Sequence, residues 1–189
     1  LLSSFLNLRW NHREDAYGGS LENRFRLIRR VLLAVRDACG PRFALLVKVD
    51  NDSCDDLPAL LRLFQSAGVD GIELSGLDMA RRDGQKTPFF LDRLLAAWEG
   101  LTVPIFPVGG VFSRAAAEKA LAAGAPFVSL SRALICQPDF VERMEKGQTE
   151  SPCLACNHCY NVYRQRPVRC VLHTEVIPQL EAVFGPYPT

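Results

Sequence analysis

The sequence predicts an α/β fold built from repeated strand–helix units, on three observations. Four short apolar runs recur along the chain, helix signals fill the gaps between them, and the runs end in polar residues. The runs are residues 43–50 (FALLVKVD), 69–75 (VDGIELS), 103–108 (VPIFPV) and 126–131 (PFVSLS). Near-continuous apolar stretches of this length are how strands buried on both faces read, which means a parallel sheet.

A helix comes first. Ser20 suits an N-cap, Leu21, Phe25, Ile28, Leu32 and Val35 form one apolar stripe, and Gly40-Pro41 supplies the stop after about Arg36. After the first run, Asp55 or Asp56 precedes a helix with Pro58 in its first turn and Gly68 at its end. Ser113 caps an alanine-rich helix that runs to Gly124, and Pro138 opens a last helix stopping near Gly147. A helix followed by four strand–helix units is the order of an α/β chain.

The polar residues inside the runs sharpen this. Lys48 and Asp50, Glu73 and Ser75, and Ser129 and Ser131 are each two apart, so each pair shares one face near the carboxyl end of its strand. Chemistry at the carboxyl ends of parallel strands belongs to barrels or doubly wound sheets, and inward-facing polar mouths favour the TIM (β/α)8 barrel. An eight-unit barrel takes about 250 residues. This chain of 189 residues is expected to be its last four units, residues 1–147, followed by a Cys-rich segment, residues 148–189. The other half of the barrel is expected upstream or in a second copy.

Net charge is +1, from 22 basic and 21 acidic residues, which gives no electrostatic reason to expect nucleic acid. No apolar run approaches the roughly 20 residues that cross a bilayer, and the start does not resemble a signal peptide. Of seven cysteines, Cys39, Cys54 and Cys136 are scattered, whereas Cys153, Cys156, Cys159 and Cys170 fall within 18 residues. Without a secretory signal, that crowding reads as metal ligation in a reducing compartment, by default the cytoplasm.

Two turns suit a phosphate. The third run ends in Val108-Gly109-Gly110-Val111, where paired glycines let backbone N–H groups approach a ligand ahead of a helix start. The fourth ends in Ser131-Arg132, a hydroxyl and a guanidinium that can both grip phosphate oxygens. In the barrel these are strands seven and eight, whose loops frequently build a phosphate site. Lys48 faces the same mouth. It can stabilise negative charge on a cofactor, act as a Schiff-base amine, or pair internally with Glu73 or Asp50. Three thiolates on one tight loop and a fourth after ten intervening residues can surround a cubane iron–sulfur cluster. Four-thiolate zinc is the rival, although such sites normally come as two paired knuckles. His158 and His173 are secondary candidates.

The stretch from Asn11 to Arg24 (NHREDAYGGSLENR) is a polar loop, a double-glycine turn and a capped helix start, for which a structural role is expected. It also resembles the hallmark of the Old Yellow Enzyme family of NADH:flavin oxidoreductases. The likeness continues through Lys48, residues 72–76 (IELSG), Val108-Gly109-Gly110, Ser131-Arg132 and Pro138-Asp139. The resemblance implies a barrel that binds FMN, takes electrons from NAD(P)H and passes hydride to an electron-poor double bond of the enone or enoyl type in a small molecule. It also implies that Lys48 lies beside the flavin's pyrimidine edge and that Gly109, Gly110, Ser131 and Arg132 hold its phosphate. The Cys segment is similar to that of the family's iron–sulfur branch, the 2,4-dienoyl-CoA reductase and trimethylamine dehydrogenase type, which implies a 4Fe–4S cluster on Cys153, Cys156, Cys159 and Cys170. The family's catalytic groups come from the front half, so the catalytic acid is unknown here. A Schiff-base lyase or aldolase using Lys48, and a non-catalytic electron-transfer module, are the alternative readings. Homo-oligomerisation is open.

Overall fold

Ser20 caps as its position predicts: in the computed structural model its hydroxyl accepts from the Asn23 N–H at 3.3 Å and starts a 19-residue helix. The structure describes residues 1–51, 54–76, 84–161 and 170–172. A short helix α1 (Leu2–Leu6) precedes that long helix, α2 (Leu21–Cys39), which Gly40 ends with φ 84°. Then follow β1 (Leu46–Asp50), α3 (Leu57–Ser66), β2 (Gly71–Ser75), α4 (Leu91–Ala97), β3 (Ile105–Pro107) and α5 (Arg114–Ala122). The chain continues with α6 (Arg132–Cys136), α7 (Phe140–Glu145) and α8 (His158–Asn161). Asp56 caps α3, with Pro58 in its first turn, and Ser113 caps α5.

The strands form a parallel sheet in the order β1-β2-β3, with Lys48 opposite Glu73 and Leu74 opposite Pro107. Of the four strands expected, the fourth is reduced to a single parallel bridge between Val108 and Ser129, closed by the Ser129 N–H on the Pro107 carbonyl at 3.0 Å. Two causes are visible. Pro104 and Pro107 bracket β3 and lack the N–H that would extend its ladder. In addition, the 126–131 run turns the Ser129 hydroxyl to Glu73 and leaves Phe127 45% exposed. The sheet has three strands among the described residues and does not close. Among the described residues β1 pairs only with β2, and Leu46 on its outer side is 56% exposed.

The larger core sits between the sheet and α2, α3 and α4. Leu60, Leu61, Ile72, Leu74, Leu94 and Ile105 have no exposed surface, and the Phe25 and Phe64 rings meet edge to face at 4.9 Å. Burial of each such aliphatic side chain contributes about 1.5–3 kcal/mol. A second core joins Phe112, Ala133, Cys136 and Phe140 to Cys153, Ala155 and Cys170. The Cys segment thus packs directly onto the loop after β3. An antiparallel bridge between Ser113 and Glu150 holds it there, together with the Ser151 N–H donating to the Phe112 carbonyl at 2.8 Å. Among the described residues no helix is long and apolar enough to cross a membrane.

The 11–24 stretch is occupied with itself, as expected of a structural loop. Asn11 Nδ2 donates to the carbonyls of Phe5 at 2.7 Å and Tyr17 at 2.8 Å, and Asp15 pairs with Arg13 while accepting from the Tyr17 N–H at 3.0 Å. Arg24, 6% exposed, donates to the Gly19 and Leu6 carbonyls and so ties α2 to α1.

Candidate functional site

At the carboxyl ends of the strands, Lys48, Gly109, Gly110, Ser131 and Arg132 line one pocket, together with Ser75, Ser129 and residues 111–112. Positions that are far apart in sequence are brought together because β1 and β3 flank β2 in register, and the Val108–Ser129 bridge aligns the following loop with them.

The double-glycine turn is sterically required. Gly109 and Gly110 have φ of 110° and 79°, and a Cβ on Gly110 would lie 1.6 Å from the Thr87 carbonyl oxygen. The turn packs so closely that only bare backbone fits, which leaves its surface to main-chain groups. Among the described residues the N–H groups of Gly109 and Gly110 donate to no carbonyl. By contrast, the start of α5 is capped by its own Ser113, which accepts from Ala116 at 3.1 Å.

Arg132 is 4% exposed, and its guanidinium lies over the Phe112 ring at 5.0 Å and the Phe89 ring at 5.9 Å. Nη1 donates to the Ala155 carbonyl at 3.3 Å and to Oδ1 of Asn157, while Nη2 is buried with no partner among the described residues. A buried cationic N–H without an acceptor is costly, and native structures rarely leave one unless a ligand or water completes it. With free main-chain donors and a hydroxyl at the same pocket, this donor set fits a phosphate.

Lys48 takes the internal pairing. Its ammonium contacts Glu73 Oε1, and Glu73 Oε2 accepts from the Ser129 hydroxyl. The side chain is still 57% exposed and remains on the pocket wall.

A second pocket lies on the other side of Arg132, lined by Cys153, Cys156, Cys159, Cys170 and Arg132 itself. Cys153, Cys159 and Cys170 are buried and Cys156 is partly so, whereas Cys39 is exposed and Cys54 belongs to the larger core. Burial pushes the Cys153 and Cys159 thiols above their ordinary range, and neighbouring thiols of the group add to this. The Ala155 N–H donates to Cys153 Sγ at 3.5 Å. Among the described residues no three His, Cys, Asp or Glu side chains are gathered closely enough to hold one metal ion. The four thiols border one common pocket, and thiolates are the donors both of iron–sulfur clusters and of four-thiolate zinc. His158 is exposed and does not line the pocket, and His173 lies outside the described residues.

Sequence reasoning missed Asn157 and the two phenylalanines that hold Arg132. The signal for Asn157 lay in its type: asparagine tolerates left-handed backbone, and here it has φ 57° within the Cys loop. Nothing in the apolar pattern distinguished Phe89 and Phe112 from ordinary core residues.

Parallel strands that gather polar groups at their carboxyl ends define an α/β ligand-binding protein. Residues 1–151 match the NADH:flavin oxidoreductase / NADH oxidase family, and the chain belongs to it. It is 26% identical over 206 residues to a metal reductase of Desulforamulus reducens, covering 98% of this chain and 30% of that protein. It is 32% identical over 163 residues to an NADH-dependent flavin oxidoreductase of a Neonectria species, covering 73% of this chain and 21% of that one. Among solved structures, 2-naphthoyl-CoA reductase superposes with a TM-score of 0.74 at 22% identity, covering 90% of this chain and 29% of its own. The old yellow enzyme homologue of Zymomonas mobilis gives 0.60 at 23% identity, covering 80% and 45%. The chain thus spans 30% and 33% of the length of the metal and bilirubin reductases it matches.

Proposed function

We propose that this chain is the phosphate-binding, cluster-bearing part of an FMN-dependent oxidoreductase of the Old Yellow type, which takes electrons from NAD(P)H and delivers them to an electron-poor enone- or enoyl-type double bond. One observation carries it: Gly109, Gly110, Ser131 and Arg132, from two separate loops, border one pocket, and a buried guanidinium nitrogen of that Arg132 has no partner among the described residues. Those residues would hold the FMN phosphate, and Lys48 would present its charge toward the flavin ring. When bound, FMN supplies hydride chemistry and a 4Fe–4S cluster supplies one-electron relay. The chain's own share is to bind, to orient and to keep water from the Arg132 nitrogen. Cys153, Cys156, Cys159 and Cys170 would ligate the cluster, a thiolate-only set suited to a reducing cytoplasm.

That β1 pairs only with β2 among the described residues supports an upstream half-barrel or a second copy as the partner that completes the mouth. An apolar cleft between that strand, α1 and α2, lined by Leu6, Ile28, Leu32, Leu45 and Phe64, is where it would pack. The Schiff-base alternative would require the Lys48 amine to leave its Glu73 contact before it could reach a substrate carbonyl.

The test is titration of the protein with FMN and with riboflavin, followed by flavin fluorescence, alongside iron and sulfide assays and NADH consumption with 2-cyclohexenone. FMN should bind at least tenfold more tightly than riboflavin, and iron should be present with matching sulfide. Equal affinity for the two flavins would remove the phosphate site. Zinc without sulfide would remove the cluster.

A further inference from the structure

Arg132 stands in the wall between the two pockets and lines both. Its two terminal nitrogens are divided: Nη1 is bound to the Cys loop through Ala155 and Asn157, and Nη2 is buried and unsatisfied. Ala155 and Asn157 are also the only non-glycine residues with positive φ among the described residues, at 55° and 57°. They flank Cys156 and alternate with Cys153 and Cys159 along the loop. Left-handed backbone at a residue with a Cβ costs on the order of 1 kcal/mol or more and persists only where the surroundings impose it. Here one nitrogen of one side chain contacts both positions, and the Gly84 N–H shares the Ala155 carbonyl at 3.2 Å. What fixes the guanidinium therefore bears on the shape of the loop that carries three of the four thiols.

We propose that Arg132 is a positioning residue that couples the two pockets. A phosphate monoester beside Gly109, Gly110 and Ser131 engages Nη2, holds the guanidinium between Phe89 and Phe112, and favours the loop conformation that gathers Cys153, Cys156 and Cys159. By linkage the effect is reciprocal: filling the thiol pocket tightens the grip on phosphate by the same factor. The proposal rests on the reading of the first pocket as the FMN phosphate site and adds a dependence between the two groups.

The protein is prepared in two forms, loaded anaerobically with iron and sulfide or stripped with a chelator, and each is titrated with FMN and with riboflavin. Stripping should weaken FMN about tenfold, within the 5–150-fold range of such couplings, and leave riboflavin within twofold. In Asn157→Ala the loaded-to-stripped ratio for FMN should fall to within twofold of one. Separately, saturating inorganic phosphate without flavin should raise the iron retained by the wild type against a chelator, and should not do so in Arg132→Lys. FMN affinities equal in both forms would overturn the coupling and leave the flavin reading standing. Equal weakening of riboflavin would overturn it too, because the effect would then run through the ring. If FMN bound neither form, the flavin reading would fall and the phosphate experiment would decide the coupling alone: iron retention unchanged by phosphate overturns it.

Discussion

A guanidinium with one nitrogen bonded and the other without a partner among the described residues makes Arg132 the residue whose replacement is most informative. Lysine keeps the charge but loses the fork, so it cannot hold Ala155 and Asn157 while serving a second acceptor. Loss of a charge-assisted hydrogen bond costs about 1.5–3 kcal/mol. Arg132→Lys should therefore weaken FMN by roughly ten- to a hundredfold, read by fluorescence titration, with riboflavin little changed. Gly110 makes a different point. A methyl group there meets the Thr87 carbonyl and forces left-handed backbone on alanine. Gly110→Ala should destabilise the fold by about 2–4 kcal/mol, seen as a lower urea midpoint before any ligand is added. At this scale the sequence revealed residue types and spacing, and so disclosed the glycine pair and Arg132. It did not reveal which way a guanidinium divides its nitrogens, because Ala155 and Asn157 approach it only in the folded chain.

Among the elements, the capped helices were the most legible. Ser20, Asp56 and Ser113 sit one residue before α2, α3 and α5, and each accepts the expected backbone N–H. Ser113→Ala should cost about 1 kcal/mol, measured by urea denaturation, and α5 follows directly on the loop that binds the Cys segment. The fourth strand was misread because an apolar run reports burial, not ladder partners, and among the described residues Ser129 pairs only with Val108. The thiol loop carries a pH signature. Ligation needs thiolates, and burial holds Cys153 and Cys159 on the protonated side, so metal uptake releases protons and strengthens with pH. Iron retained against a chelator should be greater at pH 8.5 than at pH 6.5. The metal-free fold should respond in the opposite sense. Burial, reinforced by Cys170 and Cys153, pushes the Cys136 thiol up to about 12. A folded-state value raised above the unfolded thiol value of about 8.5 means stability that is complete below that pH and drains away as pH climbs toward 12. The urea midpoint of stripped protein should be lower at pH 10 than at pH 8.

For the molecule as a whole, the sequence indicated strand–helix repetition with chemistry at one end, and from repeat number alone that the barrel would not close. Among the described residues β1 pairs only with β2, and Lys48 stands in the middle of this border strand, between Val47 and Val49. Sheet borders of this kind invite unrelated chains to zip on, and a lysine in their middle is a common deterrent. Where no proposed half-barrel or second copy is seated on it, Lys48 would stand guard on this border as well as line the pocket. Lys48→Val should strip Glu73 of its cation and, by light scattering, raise self-association with concentration above that of the wild type.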